Sequence, residues 1–240
     1  MTSSLQERPA GSRGLDWLDA ASIAGVGAMA AATLAVWRLG PTGPVPMHFD
    51  LAGEVDRWGD RSEMALVMGG MTLLATLICL YCARAERGEQ GKTSERFTYR
   101  FSRMIGLLVS VGVVALMAAI AFDRLPDLAA GAPAVLRWTM AGMSLLFLVL
   151  GAFVGKARPN PILGVRTYWS LTSRLAWDKS NRLAGRLFAG LGLVGLVGAP
   201  ILPQPLGFQG LIAGLLVTGV WSIFESWRVW RSDPDRRRTA

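Results

Sequence analysis

The chain has 240 residues, of which 52% are hydrophobic and 18% are charged, and its formal net charge is +8. Soluble domains carry about 25% charged residues, so this composition, with its apolar residues gathered in blocks, excludes a disordered chain and disfavours a soluble domain. Two cysteines and one histidine exclude a disulfide framework and a His-rich metal site.

Six apolar blocks without Asp, Glu, Lys, Arg or His follow one another along the chain. A transmembrane helix needs about 20 mostly apolar residues, so the blocks predict an all-α polytopic membrane protein. Trp17 and Trp37 bracket the first block, and indole rings prefer the membrane interface. The fifth block is short, so the last two are either full spans or a re-entrant pair. The predicted spans are 20–37, 64–82, 104–122, 138–155, 187–202 and 206–224.

The loop at 38–63, between the first two predicted spans, has the pattern of a structured hairpin. Prolines extend the chain toward His48, and Gly53 supplies the positive φ of a turn between two short strands. Acidic residues outnumber arginines, so the loop suits a cationic peptide. We expect His48 to hydrogen-bond within the loop. The alternatives are a pH sensor and a metal site formed by His48, Asp50 and Asp56.

Two other loops, 83–103 and 156–186, are strongly basic. In the first we expect the basic residues to contact lipid headgroups and solvent: Arg84, Arg87, Lys92, Arg96, Arg100 and Arg103. In the second, Gly164 predicts a bend, and Ser170 or Thr172 can cap an interfacial helix that runs toward Arg186. Arg166 lies among apolar and aromatic neighbours, so it should have a partner: a phosphate headgroup, a carbonyl cluster or a bound protein.

Two motifs inside the predicted spans look like enzyme signatures. Gly190, Gly192 and Gly195 form GxGxxG, but without a preceding strand the pattern predicts close helix packing. Cys79 and Cys82 form CxxC without a βαβ context. We therefore expect no enzymatic activity, catalytic residue or cofactor. The charge-free spans also disfavour an ion-coupled transporter.

The basic residues predict the orientation of the chain. If the N-terminus is cytoplasmic, 20 of the 25 Lys and Arg residues fall on the cytoplasmic side, as the positive-inside rule requires. The predicted organisation is a cytoplasmic tail at 1–19, a six-helix membrane domain at 20–224 and a cytoplasmic tail at 225–240. We expect Arg236, Arg237 and Arg238 to belong to a disordered tail that does not bind nucleic acid.

The outer loop at 38–63 and the cytoplasmic loop at 156–186, the two motif-bearing loops, resemble those of the bacterial SdpI immunity-protein family. In the outer loop, the residues that carry the resemblance also form the expected toxin-facing surface. They are Pro46, His48, Phe49, Asp50, Gly53 and Asp56. In the cytoplasmic loop, the signature residues are Asn160, Gly164, Arg166, Thr167, Trp169, Ser170, Leu171 and Trp177. Asn181 occupies a position where many members have a histidine.

The resemblance implies a multi-pass protein of the bacterial plasma membrane that protects the cell against a secreted antimicrobial peptide. It further implies contact with the peptide toxin outside and with membrane lipids, and signalling by recruitment of a cytoplasmic autorepressor. Two other functions remain as alternatives: a transporter of small molecules or lipids, and a metal-dependent membrane enzyme that uses the His48 loop.

Overall fold

The computed structural model describes residues 15–87, 93–124, 132–159 and 162–236. Within these ranges the chain forms seven helices and one antiparallel hairpin, and six of the helices are long and apolar enough to cross a membrane. The predicted all-α polytopic fold and the hairpin after the first span are confirmed. The elements are α1 Trp17–Leu39, β1 Val45–Phe49, β2 Val55–Gly59, α2 Arg61–Arg87, α3 Thr93–Ala121, α4 Ala132–Val154, α5 Tyr168–Thr172, α6 Arg174–Ile201 and α7 Leu206–Ser232.

The six long helices run alternately up and down, so the molecule has two ends. One end, the hairpin face, carries β1, β2 and the turn between α6 and α7, and Gln209 Nε2 donates a hydrogen bond to Leu51 O there at 3.3 Å. The other end, the terminal face, carries the start of α1, the end of α7, the turn at 156–159 that follows α4, and residues 162–173, which we call the signature segment. The two motif-bearing loops therefore lie at opposite ends of the helices.

The helices pack as two bundles of three. The N-terminal bundle joins α1, α2 and α3 around a core that includes Met29, Val36 and Met68. The C-terminal bundle joins α4, α6 and α7 around Met140 and Phe147.

Glycines allow the backbones of α4 and α6 to approach closely. A Cβ atom at Gly151 would lie 2.4 Å from the backbone nitrogen of Ala189, and one at Gly192 would lie 2.5 Å from that of Leu148. A side chain at either position would therefore push the helices apart. The prediction of close helix packing is confirmed at Gly192 and Gly195, whereas a Cβ atom at Gly190 would meet no atom within 4 Å.

The predicted interfacial helix does not exist as a separate element, and that prediction was wrong. Residues 174–186 form the first half of α6, which continues without a break through the fifth span and starts at the cap residue Ser173. The buried side of this half contacts the rest of the C-terminal bundle, while Arg174, Arg182 and Arg186 are exposed. Packing of small residues on that buried side, such as Ala176 and Ala184, extends the helix into a stretch that looks like a loop by charge alone.

Arg103 is buried inside the N-terminal bundle, so its expected contact with lipid headgroups was wrong. The residue is 4% exposed. Its Nη2 donates to Asp19 Oδ1 at 2.8 Å, and its Nε donates to Ser22 Oγ at 2.9 Å. A buried guanidinium requires such partners, and the pair ties α3 to α1. Of the other basic residues in this group, Arg84 is exposed and Lys92 lies outside the described residues.

Arg87 and Arg100 are also paired within the protein rather than free for lipid headgroups. Arg87 Nη2 donates to Asp19 Oδ2 at 2.6 Å, and Arg100 Nη1 donates to Asp16 Oδ2 at 2.6 Å and to Glu86 Oε1 at 2.5 Å. Asp16 is the N-cap of α1, so the first helix begins within the stretch predicted as a tail. The backbone N–H of Asp19, and next the Arg100 guanidinium, hold the pKa of Asp16 below its usual range.

Arg236 is ordered, which corrects the prediction that it belongs to a disordered tail. Its Nη1 donates to the carbonyl oxygen of Trp230 at 3.1 Å, and its guanidinium lies 4.7 Å from the centre of the Trp230 ring. Arg237 and Arg238 lie outside the described residues.

Candidate functional site

The hairpin at residues 45–59 is braced at its turn. Gly53 has φ +85°, which only glycine adopts readily. The Asp50 carboxylate accepts hydrogen bonds from the backbone N–H groups of Ala52 and Glu54, at 2.8 and 2.9 Å. The predicted strand–turn–strand structure is therefore confirmed. Asp50 Oδ1, which accepts both hydrogen bonds, stabilises the turn.

His48 and Asp56 form an exposed pair across the two strands. His48 Nδ1 lies 2.6 Å from Asp56 Oδ1, and the two side chains are 65% and 47% exposed. The expected hydrogen bond of His48 within the loop is confirmed. In the part of the chain that the structure describes, no group of three or more His, Cys, Asp or Glu residues is placed to hold a metal ion, so Asp50 does not complete a site with this pair.

The base of the hairpin is anchored to the N-terminal bundle. Val45 is 1% exposed and belongs to the core of that bundle, and Arg61 Nη1 donates to Gly40 O at 3.1 Å. Arg57 and Glu63 form an ion pair between β2 and the start of α2. Pro46 and Phe49 are partly buried, whereas Leu51 and Trp58 are exposed. The hairpin therefore presents polar and apolar side chains from a fixed base.

At the terminal face, Gly164 and Asn181 hold the signature segment against α6. Gly164 has φ +120°, and a Cβ atom there would lie 2.4 Å from Asn181 Oδ1. That oxygen accepts a hydrogen bond from Val165 N at 2.7 Å, and Asn181 Nδ2 donates to Trp177 O at 3.0 Å. The predicted bend at Gly164 is confirmed, and Asn181 links the backbone of the segment at Val165 to the backbone of α6 at Trp177.

Trp177 anchors the turn that precedes the signature segment. Its side chain is fully buried, and its Nε1 donates to the carbonyl oxygen of Ala157 at 2.8 Å. The indole thus links α6 to the turn that follows α4. Trp169 is partly buried, and Asn160 lies outside the described residues.

Hydroxyl groups tie the signature segment to α7. Thr167 and Ser170 form a capping box at the start of α5, and Thr167 Oγ1 lies 2.8 Å from Ser226 Oγ of α7. Ser173 caps α6 and donates a hydrogen bond to the buried carboxylate of Asp233. Sequence reasoning missed Ser173, Ser226 and Asp233, because their partners lie about 60 residues away in the chain.

Arg166 differs from the other polar signature residues that the structure describes. Its side chain is exposed, and it forms no hydrogen bond or ion pair with any described residue. The expected carbonyl cluster is therefore not its partner in the described part of the chain. The neighbouring Val165 and Thr167 are hydrogen-bonded to Asn181 and Ser170, so the backbone on both sides of Arg166 is held in place.

Two regions of the chain match models of known protein families. Residues 156–226 match the model of the SdpI/YfhL protein family, and residues 24–73 match a domain of unknown function, DUF1648. The first region contains α6 and the signature segment, and the second contains the hairpin. No curated protein and no solved structure matches the chain.

Proposed function

From the premise that this chain is a multi-pass membrane protein of the SdpI family, we propose that it is a non-enzymatic immunity protein of the bacterial plasma membrane. In this proposal it protects the cell against a secreted antimicrobial peptide. The hairpin face meets the peptide outside the cell, and the terminal face lies in the cytoplasm. The observation that carries the proposal is the family domain at residues 156–226.

The charge distribution supports this orientation. In the described part of the chain, the ends of α2 and α4 and the starts of α3 and α6, which carry the two predicted cytoplasmic loops, lie at the terminal face. In the sequence, these two loops and the two predicted tails contain 20 of the 25 Lys and Arg residues. Basic residues are retained on the cytoplasmic side during membrane insertion. The hairpin face then lies outside, where a secreted peptide first meets the cell.

The hairpin has the properties of a small receptor surface for a cationic, amphipathic peptide. Asp56 and Glu54 are exposed and acidic, and Leu51 and Trp58 add exposed apolar area beside them. Acidic groups attract a cationic partner, and aromatic side chains often contribute strongly at protein interfaces. Because the base of the hairpin is anchored, binding to it costs little ordering of the backbone.

We assign to Arg166 an inward contact, by which we mean a contact with a partner in the cytoplasm. An exposed arginine on a held backbone is suited to bind a carboxylate or phosphate group of a partner. A cytoplasmic autorepressor with an acidic surface is such a partner. Signalling from the hairpin to Arg166 requires that the peptide bind two conformations of the protein with different affinities. The hydrogen bond between Gln209 and Leu51 supplies one contact between the hairpin and the C-terminal bundle.

Survival of a toxin-sensitive bacterium tests the proposal. Cells that express the wild-type chain or an empty vector are challenged with purified Sdp-type peptide, and membrane levels of each variant are matched by immunoblot. We expect the wild type to protect, and we expect His48→Ala to weaken both protection and binding of labelled peptide. Lys179→Ala, at an exposed position of α6, is the charge-altering control outside the hairpin and should protect fully. Absence of protection by well-expressed wild type would contradict the proposal for this class of peptide.

A further inference from the structure

A cavity of about 240 Å³ lies between the two bundles near the terminal face. Its walls come from α3, from the end of α4 and from the segment that follows α4. Its lining includes Phe97, Phe101, Phe153, Lys156, Ala157 and Leu163. The cavity is larger than an engineered apolar cavity of ~150 Å³ that binds benzene. It therefore has room for a segment of a hydrocarbon chain.

Three phenylalanine rings make the wall of the cavity apolar. The ring centres of Phe101 and Phe153 are 4.1 Å apart, and those of Phe97 and Phe153 are 6.0 Å apart. Phe97 is 55% exposed, so the aromatic wall reaches the surface of the protein. An aromatic surface of this kind takes hydrocarbon more readily than water.

A lysine stands at the edge of this apolar cavity. Lys156 is exposed and forms no ion pair with any residue that the structure describes. Phe97 and Phe101 lie in the first three turns of α3, and Phe153 lies in the last turn of α4. The cavity is therefore at the level where the spanning helices end, which is the level of lipid headgroups in a membrane.

We propose that the cavity binds an acidic phospholipid of the surrounding membrane. The upper part of an acyl chain packs against the three phenylalanine rings, and the phosphate group binds the Lys156 ammonium. Basic pockets between transmembrane helices on the cytoplasmic side recognise anionic headgroups in this way. The assignment does not depend on the immunity function.

A lipid in this position contacts both bundles. It touches α3 of the N-terminal bundle through Phe97 and Phe101. It also touches Ala157, whose carbonyl oxygen accepts the Trp177 hydrogen bond, and Leu163, which directly precedes Gly164. The lipid therefore stabilises the junction between α3 and the signature segment.

Native mass spectrometry of the full chain in detergent tests the site. The probes are dioleoyl-phosphatidylglycerol and dioleoyl-phosphatidylcholine, which share acyl chains and differ in headgroup charge, and oleate is a separate competitor. We expect one phosphatidylglycerol per chain with a preference of about fivefold over phosphatidylcholine, the value for one lysine–headgroup contact. Lys156→Gln should abolish this preference. Lys179→Gln, which removes an exposed lysine outside the cavity, should leave it unchanged.

Filling the cavity gives an independent readout. Leu163→Trp should reduce retention of both phospholipids, whereas Leu175→Trp, at an exposed position of α6, should not. Equal retention of the two phospholipids by wild type would overturn the assignment, as would an equal loss in Lys179→Gln and Lys156→Gln. Displacement of phosphatidylglycerol by an equal concentration of oleate would identify a fatty-acid site instead.

Discussion

The hairpin at residues 45–59 and the signature segment at 162–173 use their motif residues in opposite ways. In the hairpin, the His48–Asp56 pair is exposed and supports only the local pairing of two strands. In the signature segment, Gly164 and Thr167 are engaged with α6 and α7, and Trp177, which anchors the turn before the segment, is buried. His48 and Asp56 in the first region are therefore available to a partner, whereas most of the motif residues in the second region stabilise the fold.

This difference predicts how substitutions separate stability from function. Loss of a buried anchor in the signature segment destabilises the C-terminal bundle and impairs function indirectly. Loss of an exposed residue in the hairpin leaves the fold intact and changes only recognition. Arg166 is the exception among the polar signature residues of the segment, because it is exposed and has no partner among the described residues.

The largest expected effect is that of Trp177→Ala. The substitution removes a fully buried indole and its hydrogen bond to Ala157, so it should lower the free energy of unfolding by about 3 kcal/mol or more. Trp58→Ala, at a 56% exposed position of the hairpin, is the matched control and should change it by less than about 0.5 kcal/mol. Denaturation of the purified protein in mixed micelles measures both. Similar losses at the two positions would contradict the contrast between the regions.

Gly164→Ala should have the next largest effect. The new Cβ would meet Asn181 Oδ1 at 2.4 Å, and alanine at φ +120° is strained, so we expect a loss of about 2 kcal/mol. Gly190→Ala is the control, because no atom lies within 4 Å of a Cβ there. The same denaturation measurement applies, and a neutral result for Gly164→Ala would show that the segment shifts freely on α6.

Ser173→Ala should have a smaller effect. Its hydroxyl caps α6 by accepting from Ala176 N at 2.9 Å and also donates to Asp233, so its loss should cost about 1 kcal/mol. Thr172→Ala should cost less than about 0.5 kcal/mol, because the Thr172 hydroxyl donates only to the carbonyl oxygens of Tyr168 and Trp169 within α5. The shift in the thermal unfolding midpoint separates the two variants. A larger shift for Thr172→Ala would show that Thr172, and not Ser173, provides the cap of α6.

The smallest effect concerns the pH dependence of the hairpin face. The backbone N–H of Glu63, and then that of Ser62, hold the pKa of Asp60 below its ordinary value of 3.8. The ionised form is therefore favoured in the folded state, and its stabilising contribution is lost as the pH falls below that ordinary value. Asp60→Asn keeps a capping oxygen and should reduce this acid sensitivity of the thermal midpoint. An unchanged pH profile would show that Asp60 does not contribute to it.

Local patterns were sufficient to predict the spans and the hairpin. The six apolar blocks and the turn at Gly53 depend on residues that are neighbours in the chain, and both predictions are confirmed. The bend at Gly164 is local in the same sense. The hydrogen bond expected for His48 was also correct, because its partner Asp56 lies on the adjacent strand.

Contacts between distant residues could not be read from these patterns. The sequence position of Arg103 suggests that it binds headgroups, but the packing of α1 against α3 places Asp19 beside it. The sequence of the first half of α6 suggests an interfacial helix, but its small residues pack within the C-terminal bundle. Ser173 and Asp233 are 60 residues apart, and their pairing depends on how α6 and α7 meet. Each of these features follows from helix packing rather than from local propensity.

The most direct test of the account compares Arg166→Ala with Arg174→Ala in the survival assay, at matched membrane levels. Both arginines are exposed at the terminal face, and they differ in position: one lies in the held signature segment and the other begins α6. We expect Arg166→Ala to lose protection, because in this account protection depends on its inward contact, while its unfolding midpoint stays that of the wild type. We expect Arg174→Ala to protect fully. Full protection by Arg166→Ala, or equal loss in both variants, would contradict the assignment of the inward contact to Arg166.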